Sequence, residues 1–169
     1  MSSFVPRSLL LLSALVPLSA CGGAPDVPSI LLITLDTTRQ DALSCYGAIP
    51  GLTPSVDRIA AEGITYLQAH TVAPITLPSH TSMLTGLWPP RHGLRINGAA
   101  SLPAEAETLA ELASGLGLET AAFLSAAVLG STFALDQGFD VYDEVDTHKE
   151  KASNSFPRRN GRATIDAAL

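Results

Sequence analysis

Ser29-Ile30-Leu31-Leu32-Ile33-Thr34-Leu35-Asp36 is the stretch whose reading decides the fold of this chain. A short, continuous apolar run that ends on a polar residue predicts a central parallel strand, buried on both faces. That reading puts Asp36 at the carboxyl end of the strand, where ligands bind in open α/β sheets.

Downstream, the pattern alternates. Thr53 to Gly63 predicts a helix, with Thr53 as N-cap, Pro54 in the first turn and Gly63 as the stop. Ile64 to Tyr66 predicts a short strand. Pro78 to Thr85 predicts another helix, closed by Gly86 and barred from continuing by Pro89-Pro90. Glu107 to Ser114 has apolar residues at helical spacing, and Glu119 to Ala126 and Phe139 to Tyr142 read as strands. Lys149 to Arg162 is polar, a loop or the lead into a last helix over Ala163 to Leu169. Strand-helix alternation predicts a layered α/β fold with a parallel sheet.

Upstream, the chain carries an export pattern. Arg7 gives the positive start, Ser8 to Leu18 a short apolar core, and Ser19 and Ala20 the small residues that suit a signal peptidase. Leu18-Ser19-Ala20-Cys21 resembles a bacterial lipobox. That resemblance implies cleavage before Cys21 and acylation there, hence firm anchoring of an exported protein in the bacterial cell envelope. Residues 1–20 are then a signal peptide, 21–28 a tether that includes Gly22-Gly23-Ala24-Pro25, and 29–169 the folded part.

Composition narrows the function. The chain is 46% hydrophobic and 15% charged, which suits a globular protein rather than a disordered one. A net charge of −6 argues against a nucleic-acid binder, which needs a basic stripe. With Cys21 acylated, Cys45 has no partner for a disulfide within the chain.

Few residues suit chemistry. Asp36 either holds a hard or borderline cation or shapes a turn. Thr76, in Thr76-Leu77-Pro78-Ser79-His80, lies at a helix start, where backbone N–H groups and the dipole favour an anion. Its hydroxyl is either a plain N-cap or a nucleophile activated by a metal. His80, one turn on, either donates to the anion or packs. His92 lies in a loop with its role open. His70 and His148 lack zinc spacing. Cys45, with no base assignable, reads as a small buried residue.

The ordered segments together resemble the N-terminal portion of the sulfatase family, in the alkaline phosphatase superfamily. They are Ile33-Thr34-Leu35-Asp36-Thr37-Thr38-Arg39 with Asp41, Tyr46-Gly47, Thr53 to Ala60, Gly63 to Tyr66, Pro78 to Pro89, and His92-Gly93. The resemblance spans roughly Ser29 to Asp143. It implies a three-layer α/β/α fold and a metal-dependent hydrolase of sulfate esters or related phosphate or phosphonate esters, on a small-molecule or glycan substrate. It implies Asp36 as a metal ligand, Thr76 as both nucleophile and ligand, and His80, in the place of the motif arginine, as a second catalytic residue.

Three departures sharpen the expectation. The family's nucleophile is usually a cysteine or serine converted to formylglycine within Cys-x-Pro-Ser-Arg; a threonine excludes that route and looks like the phosphodiesterase and phosphotransferase branches. His80 stands in place of the arginine, with a different donor geometry. Thr37 stands where a second acidic residue is usual, which counts against calcium and favours zinc or manganese, without resolving which of the three ions is held. The family's later metal ligands lie beyond Leu169, so the expectation for this chain alone is an inactive N-terminal fragment. The competing expectation is a non-catalytic lipoprotein module, or the product of a decayed gene, with a sulfatase-like shell.

Overall fold

The computed structural model describes residues 28–146 and 157–169. The export signal, Cys21, most of the tether and His148 lie outside the described residues. Among the described residues five helices follow in order: α1 (Pro54–Glu62), α2 (Thr76–Thr85), α3 (Pro89–His92), α4 (Leu109–Gly115) and α5 (Gly161–Ala168). Two short strands, β1 (Ala121–Phe123) and β2 (Val141–Asp143), pair in parallel with Ala121 opposite Val141. Parallel partners need a crossover rather than a tight turn. Here it runs through two 3-10 turns, Ala127–Leu129 and Ser131–Phe133.

The core forms where α2 meets the crossover. Leu77, Leu94, Leu102, Ala106, Val128, Leu129, Phe133 and Leu135 cluster there, with Leu84, Leu87, Leu124 and Tyr142 packed against them. Leu77 and Thr81, one turn apart on α2, have no exposed surface, and the Thr81 hydroxyl donates to the Leu77 carbonyl at 2.8 Å. That bond lets a polar residue sit in the core without an orphaned group. Tyr142 is half-buried; its hydroxyl donates to the Leu129 carbonyl at 2.7 Å.

The helix starts follow local chemistry. Thr108 caps α4 in a reciprocal box: its hydroxyl accepts from Glu111 N–H at 3.1 Å, and the Glu111 carboxylate accepts from Thr108 N–H at 2.8 Å. Gly86 ends α2 in the left-handed region, at φ 68°. Thr53 stands at the N-cap of α1 as expected, yet it makes no cap bond. Its hydroxyl instead accepts from Ser44 N–H at 2.9 Å and donates to Asp57 at 3.2 Å, tying α1 to the 3-10 turn Ser44–Tyr46.

Several expectations are corrected. Residues 29–36 do not form a strand, and Ile30, Leu31, Leu32, Ile33 and Leu35 are 53–84% exposed. Apolar patterning reports a demand for burial, whereas a strand also requires neighbours for its N–H and C=O groups. Among the described residues β1 and β2 pair only with each other. Residues 64–66 are likewise not a strand. His92 closes α3 and is 1% exposed, rather than lying in a loop. Cys45 is half-buried, not a core residue. The strand predicted over residues 119–126 is real but shorter, and the one predicted over 139–142 is shifted to Val141–Asp143. No helix among the described residues is long and apolar enough to cross a membrane.

Candidate active site

Asp36 sits in a tight turn closed by the Thr38 N–H donating to the Leu35 carbonyl at 3.3 Å. The next residue, Thr37, has φ 60°. That left-handed conformation is rare for a β-branched residue and suits glycine better. The backbone is thus held in a costly shape beside the carboxylate.

The structure brings Asp36 and Thr76 together across 40 positions: the Thr76 hydroxyl donates to Asp36 Oδ2 at 3.0 Å. Thr76 is the first residue of α2, and the N-cap is Ile75, which is extended and makes no side-chain cap bond. The hydroxyl is therefore not a helix cap. Asp36 occupies a turn, one of the two alternatives its sequence offered, and its carboxylate faces the Thr76 hydroxyl.

His80 has both ring nitrogens engaged. Nδ1 lies 2.8 Å from the Thr76 carbonyl. A carbonyl only accepts, so Nδ1 carries the proton. Nε2 lies 3.2 Å from the Thr34 hydroxyl, which donates to it. His80 thus links the first turn of α2 to the segment that leads into Asp36.

The helix start offers an anion fewer donors than the sequence implied. Leu77 N–H donates to Asn97 Oδ1 at 2.9 Å, Pro78 has no N–H, and Ser79 N–H donates to the Ile75 carbonyl at 3.1 Å. The macrodipole remains, with at most the Thr76 N–H as a free donor. Thr34 and Asn97 were not singled out as members of this site by sequence reasoning. Their bonds span 46 and 20 positions, and the only signal was the missing N–H of Pro78 beside an apolar N-cap.

Asp36 and Thr76 are oxygen donors, the type that hard divalent ions accept. Among the described residues no group of three or more His, Cys, Asp or Glu gathers, and a catalytic zinc takes about three protein ligands. The pair therefore fits part of a metal site. His70 is exposed. Cys45 lines an open hollow of about 650 Å³ with Ser44, Asp57 and Leu67; Asp36, Thr76 and His80 do not line it.

Comparison with known proteins gives the family. The Sulfatase family model matches residues 28–162. Mouse steryl-sulfatase is 37% identical over 110 residues, 59% of this chain and 18% of that protein. Dog N-acetylgalactosamine-6-sulfatase is 41% identical over 87 residues, 52% of this chain and 16% of that protein. The Delta 4,5-hexuronate-2-O-sulfatase of Bacteroides thetaiotaomicron is 28% identical over 146 residues, 82% of this chain and 28% of that protein. The solved structure of a 2-O GAG sulfatase superposes with a TM-score of 0.56 at 26% identity, over 76% of this chain and 27% of that one. This chain thus spans under a third of the length of these relatives, and its fold is the N-terminal portion of their α/β, alkaline-phosphatase-like architecture. With well over half of its residues matched by the family model and its fold shared, the chain belongs to the sulfatase family.

Proposed function

We propose that this chain carries the nucleophile-bearing part of an exported, lipid-anchored, metal-dependent ester hydrolase, with Thr76 as the nucleophile. One observation carries the reading: the Thr76 hydroxyl sits 3.0 Å from Asp36 Oδ2, at the start of a helix. Asp36 and Thr76 would hold a divalent ion, zinc, manganese or calcium, together with groups outside the described residues. Such an ion lowers the pKa of a bound hydroxyl and neutralises anionic charge.

The chain's own residues supply orientation. Asp36 aims the hydroxyl by accepting its hydrogen bond. His80 braces the Thr76 backbone against Thr34. The positive end of α2 favours the tetrahedral anion. The Thr76 oxygen bonds to sulfur or phosphorus as the ester oxygen leaves, the hydroxyl proton ending on the leaving alcohol through solvent, and water then cleaves the Thr76 ester to regenerate the hydroxyl; positioning and charge stabilisation supply most of the acceleration in such transfers.

The named activities of the relatives favour sulfate esters, on a sulfated glycan or a steroid. The threonine favours phosphate or phosphonate esters, because it excludes formylglycine. The test is turnover of 4-nitrophenyl sulfate and bis(4-nitrophenyl) phosphate, with divalent metal, by the chain extended to its relatives' length. Thr76→Ala is expected to lose activity by about 10⁴-fold or more, as nucleophile removal does elsewhere. Metal binding by calorimetry should largely survive. Retention of most of the turnover would rule out Thr76 as the nucleophile.

A further inference from the structure

We propose that Asn97 is a positioning residue for Thr76: it caps helix α2 from outside the helix and so fixes the nucleophile's aim at Asp36. The proposal rests on the reading of Thr76 as the nucleophile.

A helix start leaves backbone N–H groups without intrahelical partners, and an N-cap side chain usually accepts from one of them. Helix α2 has Ile75 in that place, with no acceptor. Pro78 removes one donor, and Ser79 finds the Ile75 carbonyl. Leu77 remains, and it has no exposed surface, so water cannot serve its N–H. Asn97 Oδ1 does, at 2.9 Å.

Asn97 reaches this point because its segment turns sharply at both ends. Gly93 and Gly98 both have positive φ, 86° and 76°. Helix α3, which leads into that segment, holds α2 at a second point, where His92 Nε2 lies 3.0 Å from the Ser82 hydroxyl. The two bonds bracket the helix, one at its second residue and one in its last turn. Rotation or sliding of α2 breaks one of them. Thr76 adjoins Leu77, so its hydroxyl keeps the Asp36 contact only while the first turn stays wound. Without Asn97 that turn frays, and the hydroxyl spends time away from Asp36.

Asn97→Ala and Asn97→Asp separate positioning from general stability. Aspartate keeps an oxygen acceptor and adds a charge that suits the helix start. Amide exchange at Leu77, followed by NMR, is expected to accelerate about tenfold or more in Asn97→Ala as the buried N–H loses its partner. It should return close to the unaltered rate in Asn97→Asp, with Leu94 and Leu135 unchanged in both. In the form that turns over 4-nitrophenyl sulfate, Asn97→Ala should lower kcat about tenfold at nearly constant KM, and Asn97→Asp should recover it.

Unchanged Leu77 protection in Asn97→Ala overturns the proposal. So does equal acceleration at Leu94 and Leu135, or a kcat that ignores a frayed first turn. No turnover even in the unaltered protein counts against Thr76 as the nucleophile and removes the positioning role with it, while the exchange data still decide the capping bond.

Discussion

His92 makes the stability of this chain depend on pH in a calculable direction. The ring is 1% exposed. Its Nδ1 accepts from the Leu94 N–H at 3.1 Å, and a nitrogen that accepts from an N–H carries no proton of its own. Nε2 therefore carries the hydrogen and donates to the Ser82 hydroxyl at 3.0 Å. Protonating Nδ1 would set two donors against each other in a site with little water. Burial accordingly lowers the pKa of His92 from its usual 6.5, against a smaller opposing backbone contribution. The unfolded chain binds the extra proton more readily than the folded one, so acid favours unfolding. The stability His92 confers is complete above pH 6.5 and is lost as pH falls below that value toward the lower folded one.

Removing the ring has a larger effect. His92→Ala leaves the N–H of Leu94, itself 1% exposed, without its acceptor, a loss of about 1–3 kcal/mol. The vacated ring volume adds a cavity cost, and the sum comes to about 3–5 kcal/mol. That is a large share of the stability of any small domain. His92→Asn keeps an acceptor near the Nδ1 position and should cost about half as much. Urea unfolding read by far-UV circular dichroism and by the single tryptophan, Trp88, whose carbonyl accepts from the His92 N–H at 3.2 Å, gives these numbers directly. Unfolding free energy should rise between pH 5.5 and 7.5 in the unaltered chain and stay flatter in His92→Asn. Identical pH slopes in the two proteins would refute the buried neutral imidazole.

Two further outcomes are expected. Gly138 has φ 83°, and a Cβ there would stand 2.3 Å from the Glu111 nitrogen and 2.7 Å from the Ala110 carbonyl carbon. Gly138→Ala should therefore lower stability by about 3 kcal/mol or more, whereas Gly117→Ala, at φ 79° with open space around it, should cost only about 1–2 kcal/mol; equal melting temperatures for the two variants would contradict the steric argument. Cys21→Ser should move the protein from the membrane fraction to the soluble fraction of a bacterial host; continued membrane association of that variant would exclude acylation at Cys21.

The helices were legible because their signals are local. Pro54 and Gly63 bracket α1, and Gly86 and Pro89-Pro90 end α2. The paired strands were legible in place but not in length, since pairing with a partner 20 positions away trims each to three residues. Asp36 and Thr76 could be named as a pair only through the ordered set of segments they belong to, because nothing in either neighbourhood encodes a contact across 40 positions. Thr34 and Asn97 left little trace beyond the missing N–H of Pro78 beside an apolar N-cap, since a single hydrogen bond imposes no periodicity on the sequence around it.

The misread run over residues 29–36 carries a lesson about what holds the site. A buried central strand would have fixed Asp36 through its ladder. In this structure that run is exposed, so Asp36 is held by other means: the turn with its left-handed Thr37, the Thr76 hydroxyl, and the bond from Thr34 to His80 two residues upstream. Two of those three run to α2. The orientation of α2 is set in turn by Asn97 at its start, by His92 in its last turn, and by Leu77 and Thr81 in the core. The carboxylate is therefore positioned by the helix that carries Thr76, and a change that tilts α2 displaces both halves of the pair together. Asp36→Asn and Asn97→Ala should consequently be less than additive in any assay that reads the Thr76 hydroxyl, because residues that share one network couple.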